Sequence, residues 1–121
     1  EAGVRAEIRR TWEEDHYLMD THTAVASAVL RAYQKETGDA RRSVIVSTAS
    51  PYKFGASVLG AVAGQAACAG LDDFACCRAL AERTGTKEPE QIRALPNLPI
   101  RHTAVCEKDE MEQAVLEQIK V

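Results

Sequence analysis

The sequence lacks any cysteine spacing that is typical of a metal or redox site. Its four cysteines include the adjacent pair Cys76 and Cys77, and no CxxC motif occurs. Zinc sites and thioredoxin-type motifs need such spacing, so neither is expected. Cys68 lies in Ala-rich helical sequence, where a free cysteine behaves as a small apolar residue. A metal pair of His102 and Cys106 is the remaining alternative, and free thiols fit a reducing cytoplasm.

The sequence also lacks an excess of basic residues, a long apolar run and a signal peptide. The net charge is −3 and no basic stripe occurs, so nucleic acid is not an expected partner. The low-charge stretch 54–71 is too rich in Gly, Ala and Ser to span a membrane. The first residues read as an interior helix rather than a targeting segment. A length of 121 residues and 45% hydrophobic content predict one small cytoplasmic domain over residues 1–121.

Apolar periodicity predicts six helices. Asp20 or Thr21 is expected to cap the second helix, and Asp72 or Asp73 the fourth, because these residues accept hydrogen bonds from free N–H groups. Val25, Val29 and Tyr33 share one face of the second helix with Ala28 and Ala32, a face suited to covering a strand. The predicted helices cover residues 3–15, 22–37, 52–69, 73–84 and 89–95, with a last one from a capping box of Asp109 and Glu112.

Two segments read as strands. Val44-Ile45-Val46 is an apolar β-branched run without polar alternation, which predicts a strand at 43–48 buried on both faces. Residues 100–106 alternate weakly and predict a second strand. The expected fold class is therefore α/β, helix-rich, with one or two sheet strands flanked by helices. So few strands do not make a stable sheet alone, which indicates part of a larger sheet.

A cluster of hydroxyls, Ser47, Thr48 and Ser50, follows the first predicted strand. Ligands of open α/β sheets bind beyond the carboxyl ends of strands, so these side chains are placed for a ligand. Pro51 at the first helical position, with Ser50 as N-cap, favours an anion there. The alternative is a strand end with a capping serine and no ligand. No His and Asp accompany the serines in a pattern typical of nucleophilic hydrolysis.

Three stretches together resemble the carboxyl-terminal part of threonine synthase. They read YLMDTHTAVA over 17–26, VSTASPYKF over 46–54 and IRHTAV followed by KDEM over 100–111. The resemblance covers nearly the whole chain. It departs from the family pattern at Thr21 and Gly55, where proline is usual, and neither position carries chemistry.

The resemblance implies a pyridoxal 5′-phosphate (PLP) enzyme of the tryptophan-synthase-β-like fold, also called fold type II. Such an enzyme converts O-phospho-L-homoserine and water into L-threonine and phosphate. The Schiff-base lysine and the glycine-rich phosphate loop belong to upstream sequence in this family, and no lysine here matches the Schiff-base context. The chain alone is therefore expected to be inactive, with no catalytic residue of its own and with the upstream part of the same polypeptide as its partner.

The resemblance also implies roles for four residues. Thr48 is expected to contact the pyridine nitrogen of PLP, with Ser47 as the alternative because only one of two successive strand residues faces the ring. The alternative for Thr48 is a strand-end hydroxyl bonded to backbone. Lys53 is expected to attract a phosphorylated substrate, or else to be a solvated or carboxylate-paired lysine. His22 is expected to face the substrate, whereas the pattern favours a buried, hydrogen-bonded histidine.

Two other classes of function remain open. A stand-alone α/β module could bind phosphate or another anion through the hydroxyl cluster and the helix start. Alternatively, the chain could be a structural piece that self-associates through strand 43–48 and the Ala-rich helices, because exposed edges and apolar patches promote association.

Overall fold

The computed structural model describes residues 1–119, and the last two residues of the predicted final helix lie outside that range. The helices are joined by irregular segments, of which the longest run over 38–50 and 98–107. Six α-helices are found, namely α1 (Ala2–Asp15), α2 (Thr21–Thr37), α3 (Gly55–Ala63), α4 (Asp73–Thr84), α5 (Glu90–Ala94) and α6 (Met111–Ile119).

The predicted caps of α2 and α4 are confirmed. Asp20 caps α2 by accepting from the N–H groups of His22 and Thr23, and Asp72 caps α4 by accepting from Ala75 N–H. Each helix ends at a glycine in the left-handed region, Gly38 at φ 70° and Gly85 at φ 66°. Glycine adopts this conformation without a steric penalty from a Cβ atom, so the local sequence determines where these two helices end.

The prediction of one continuous helix over 52–69 is wrong. Residues Pro51–Phe54 form a 3₁₀ turn capped by Ser50, α3 follows, and a second 3₁₀ turn covers Gln65–Cys68. Gly64 separates the last two with φ 90° and ψ 151°, a conformation that is essentially restricted to glycine. The chain therefore turns at Gly64, where the apolar periodicity alone continues.

The predicted α/β class is also wrong, because residues 1–119 contain no strand. Val44 is 87% exposed and Val46 is 76% exposed in the irregular segment 38–50. Residues 100–106 are likewise irregular and exposed. A strand needs a neighbour that pairs with its N–H and C=O groups, and neither segment has one within the described residues. The apolar runs are real, but pairing rather than composition decides whether a strand forms.

The core lies among α1, α3 and α4, with α3 in the middle. Helix α3 packs against α1 on one side and α4 on the other, and α1 also packs against α2. Val58 and Leu59 of α3 meet Ile8 of α1 and Leu80 of α4 in this core, all of them almost inaccessible to solvent. Tyr52 closes one end by hydrogen bonding from its hydroxyl to the Thr86 carbonyl at 3.1 Å.

Helix α2 buries a different face from the one its valines suggested. Val25, Val29 and Tyr33 are about half exposed or more, whereas Thr23, Ala24 and Ser27 are buried. The buried side is held to α1 by Glu7, which accepts from Ser27 Oγ at 2.7 Å and from Arg10 at 2.8 Å. A buried carboxylate requires such partners, so the face of α2 that carries Ser27 lies against α1.

The N-cap of the final helical segment lies two residues earlier than predicted. The capping box pairs Glu107 with Glu110 rather than Asp109 with Glu112, and a 3₁₀ turn over Lys108–Glu110 precedes α6. The apolar face of α6 is exposed, with Met111 at 57% and Val115 at 59%. No helix within residues 1–119 has the length and apolar character needed to cross a membrane.

Candidate functional site

Two segments that are far apart in sequence meet at the start of α2. Ser47 Oγ lies 3.1 Å from Thr23 Oγ1, 24 residues away along the chain. Ser47 Oγ also donates to Asp20 Oδ2 at 3.4 Å. The DTHTA stretch and the STASPYKF stretch therefore share one site, built where the irregular segment 38–50 reaches the first turn of α2.

Asp20 is the buried centre of this site. Asp20 is 0% exposed, and one of its carboxylate oxygens accepts hydrogen bonds from the N–H groups of His22 at 2.9 Å and Thr23 at 3.3 Å. The other oxygen accepts from the Thr23 hydroxyl and from Ser47. The cap and the hydroxyl network thus use opposite oxygens of one carboxylate.

These contacts keep Asp20 ionised. Burial raises the pKa of the carboxyl, but the Thr23 hydroxyl and the N–H groups of His22 and Thr23 outweigh burial and bring the pKa below its ordinary value of 3.8. A charge at this place is consistent with the helix start, where the first N–H groups favour an anion. The anion at the start of α2 is therefore the Asp20 carboxylate.

His22 stands at the surface of the site. Its side chain is 66% exposed and its Nδ1 lies 3.3 Å from Asp20 Oδ1. The ring centroid is 5.0 Å from that of Phe54, with the planes tilted by 55°. The reading of His22 as a buried histidine is therefore wrong. The imidazole instead rests on Phe54 with most of its surface open to a ligand.

Ser47 and Thr48 differ in what their hydroxyls already bind. Ser47 is tied to Thr23, Asp20 and the Ala49 carbonyl. The Thr48 side chain is exposed and, within residues 1–119, makes no hydrogen bond. The alternative in which Thr48 is bonded to backbone is thus not observed among the described residues.

Lys53 lies on a different surface. It lines a groove of about 530 Å³ between the turn 51–54, α3, α4 and α5. Phe54 and Asp73 line the same groove, but His22, Ser47 and Thr48 do not. The structure therefore brings His22 and Ser47 together at Asp20, with Thr48 next to Ser47 in the chain, and places Lys53 in the separate groove.

The cysteine and histidine predictions concern other regions. Cys76 and Cys77 are buried in the core, where burial raises the pKa of both thiols. Cys106 is exposed and lines an open cavity with His102 beside α6. Over residues 1–119, no three side chains of the types that bind metals come together.

Sequence reasoning missed the second role of Asp20 and the role of Thr23. Asp20 was interpreted only as a cap, and Thr23 was given no function. The Asp-x-x-Thr spacing is a normal helix-start pattern, so it gave no signal of a ligand site. The cap becomes part of a larger hydrogen-bond network only because Ser47, distant in sequence, contacts both Asp20 and Thr23.

The comparison with family models identifies the class of protein. Residues 23–116 match the model described as "Threonine synthase, C-terminal". The chain therefore belongs to the threonine synthase C-terminal family, as the motifs predicted. A comparison with curated proteins finds no match.

The family places the chain in a lyase-type enzyme of threonine biosynthesis. Threonine synthases generally depend on PLP. The exposed Thr48 hydroxyl is a neutral donor suited to a ring nitrogen.

Proposed function

We propose that this chain is the carboxyl-terminal part of a PLP-dependent threonine synthase, which converts O-phospho-L-homoserine and water into L-threonine and phosphate. The proposal is supported by the family match over residues 23–116. One observation carries it further: the two motifs that resemble the family meet in space through the 3.1 Å contact between Thr23 and Ser47.

Bound PLP supplies an electron sink for the carbon chemistry, and this chain tunes that sink at the ring nitrogen. Each hydroxyl has one proton, and a carboxylate only accepts. The Thr23 hydroxyl donates to Asp20 or to Ser47, and the Ser47 hydroxyl donates to Asp20 or to the Ala49 carbonyl. The proton of Thr48 remains available, which supports Thr48 rather than Ser47 as the donor to the pyridine nitrogen. A neutral donor leaves that nitrogen largely unprotonated.

We infer that His22 and Lys53 assist the phosphorylated substrate. His22 offers an open imidazole next to the hydroxyl network, since its side chain is 66% exposed. Lys53 is exposed on the neighbouring groove and carries a positive charge that attracts phosphate. His22 is the better placed of the two, because its Nδ1 lies 3.3 Å from Asp20 Oδ1, whereas Lys53 lines the separate groove.

We further infer that the upstream part of the same polypeptide completes the enzyme in the cytoplasm. The exposed apolar face of α2, formed by Val25, Val29 and Tyr33, supports this partner, as do the exposed Val44 and Val46. The chain alone has no Schiff-base lysine in the family's context and should not turn over substrate. Self-association through the same surfaces is the competing outcome for the isolated chain.

The structure gives less support to a stand-alone anion-binding module. An anion at a helix start needs free N–H groups. At α2, Asp20 already accepts from His22 and Thr23, and at the 51–54 turn Ser50 Oγ accepts from Tyr52 N–H at 3.3 Å. Both helix starts are therefore capped by the chain's own side chains.

The test is phosphate release from O-phosphohomoserine by the full-length parent protein, with Thr48→Val compared with Thr48→Ser. Valine removes the hydroxyl at similar volume, whereas serine keeps it. We expect Thr48→Val to lower kcat by at least about tenfold, the effect of losing one hydrogen bond to the cofactor. Thr48→Ser should stay within about threefold of the parent.

Cofactor absorbance provides the control, because both variants should still bind PLP. If Thr48→Val keeps full activity, the family stands and the proposed cofactor contact is wrong. If the parent binds no PLP and releases no phosphate, the enzyme proposal itself fails.

A further inference from the structure

The Asp20 carboxylate does more than cap α2. A helix cap needs one oxygen, and Oδ1 fulfils that role through His22 N–H and Thr23 N–H. Oδ2 serves the Thr23 and Ser47 hydroxyls instead. By contrast, Asp72 caps α4 through Ala75 N–H alone, at 2.7 Å, and is exposed. The two caps share a residue type and differ in this second oxygen.

The second oxygen holds the later part of the irregular segment 38–50, whose first residues are held to α2 by the Tyr33 hydroxyl, which donates to Asp39 at 3.0 Å. Residues 38–50 contain no helix or strand, and Val44 and Val46 point largely into solvent. Ser47 is the residue of this segment whose side chain reaches the first turn of α2. Ser47 Oγ lies 3.1 Å from the Thr23 hydroxyl and 3.4 Å from the buried Asp20 carboxylate, so the closer link between this segment and the carboxylate runs through Thr23.

We propose that Asp20 is a positioning residue of the site, acting through Thr23 and Ser47 to fix the backbone of residues 47–49 against α2. It thereby directs the Ser47 proton inward and presents the Thr48 hydroxyl outward. The catalytic consequence rests on the proposed function, in which Thr48 contacts the cofactor, but the fixation of the segment does not.

Backbone order of this chain measures the fixation without cofactor or substrate. The variants are Asp20→Asn and, as the matched control, Asp72→Asn. Asparagine still caps a helix, because its carbonyl oxygen accepts the N–H bonds. At Asp20, however, its NH₂ group replaces the oxygen that accepts from the hydroxyls, so the network loses its acceptor.

We expect the ¹⁵N order parameters of Ser47 and Thr48 to fall from about 0.85 to below about 0.6 in Asp20→Asn. They should be unchanged in Asp72→Asn. Equal values in the parent chain and Asp20→Asn would overturn the proposal, and so would an equal fall in both variants.

A second pair keeps the test decisive if Asp20→Asn does not fold. Thr23→Val removes the bridging hydroxyl and Thr23→Ser retains it. Order at residues 47–48 should fall in Thr23→Val and be retained in Thr23→Ser. The same loss of order in both, or in neither, contradicts the positioning role.

In the full-length parent, Asp20→Asn should lower kcat for phosphate release on the order of tenfold, with KM for O-phosphohomoserine little changed. Asp72→Asn should leave both constants unchanged. If Asp20→Asn lowers the order of residues 47–48 in this chain but the full-length protein binds no PLP, the proposed function is rejected and the positioning role stands. If Thr48→Val lowers the activity of the full-length protein but Asp20→Asn changes neither the backbone order nor kcat, only the positioning role is rejected.

Discussion

Glu7 and Asp20 are the two buried carboxylates that join distant parts of the chain. Glu7 receives two hydrogen bonds from Arg10 and one from Ser27, and Arg10 holds its pKa below the ordinary value of 4.5, although burial acts in the opposite direction. Asp20 is likewise held below 3.8. Each charge therefore ties α2 to a neighbouring segment, α1 in one case and residues 47–49 in the other.

Acid should therefore destabilise the fold. A carboxyl with a lowered pKa in the folded state stabilises the protein above the pKa of the unfolded chain, and this contribution is lost as the pH falls through the folded pKa. We expect the free energy of unfolding to decrease as the pH falls below 4.5, the ordinary value for Glu7, and to continue falling below 3.8. Urea unfolding at several pH values measures this slope.

Glu7→Gln tests the origin of that slope. Between pH 5 and pH 3, this variant should lose less of its free energy of unfolding than the unsubstituted chain does. Glu13→Gln, at an exposed site on the same helix, should show the same pH dependence as the unsubstituted chain. Parallel slopes for all three proteins would assign the acid sensitivity to other groups.

Helix α3 ends at a backbone position that only glycine adopts readily. Gly64 has φ 90°, and a Cβ added there would meet no atom within 4 Å. The constraint at Gly64 is thus conformational and not steric crowding from neighbours. Gly3 in α1 also has open space for a Cβ, but its φ is not positive.

Gly64→Ala should destabilise the protein by about 1–3 kcal/mol, because alanine is strained in this region. Gly3→Ala should be neutral or stabilising by about 0.4–1 kcal/mol, since it restricts only the unfolded chain. Thermal unfolding of the two variants measures the difference. A neutral Gly64→Ala would mean that the helix simply continues past residue 63.

At the scale of the whole molecule, the apolar core is confined to the first two thirds of the chain. The fully buried apolar residues run from Ile8 to Leu80, and beyond Ile92 the described side chains are mostly exposed. Leu59 is 2% exposed at the centre of this core, whereas Leu98 is 58% exposed.

Leu59→Ala should lower the free energy of unfolding by about 2–5 kcal/mol, because it removes buried methyl groups and leaves a cavity. Leu98→Ala should change it by less than about 0.5 kcal/mol. Chemical denaturation of both variants measures these values. Comparable losses would show that residues 96–119 belong to the cooperative core.

Local sequence determined the features that depend on near neighbours. The caps at Asp20, Ser50 and Asp72 and the helix ends at residues 37 and 84 follow from hydrogen bonds and dihedral angles within a few residues, and they were predicted correctly. The motifs also determined the family, because a family is defined by residues in order along the chain.

Tertiary structure decided what depends on partners distant in sequence. The run Val44-Ile45-Val46 did not become a strand within residues 1–119, because strand formation requires a second strand. The buried face of α2 was set by Glu7 and not by its valines. Asp20 became the centre of a site only when Ser47 reached it across 27 residues. Local rules fix helix ends, but only packing decides which side chains meet, because contact between distant residues has no period in the sequence.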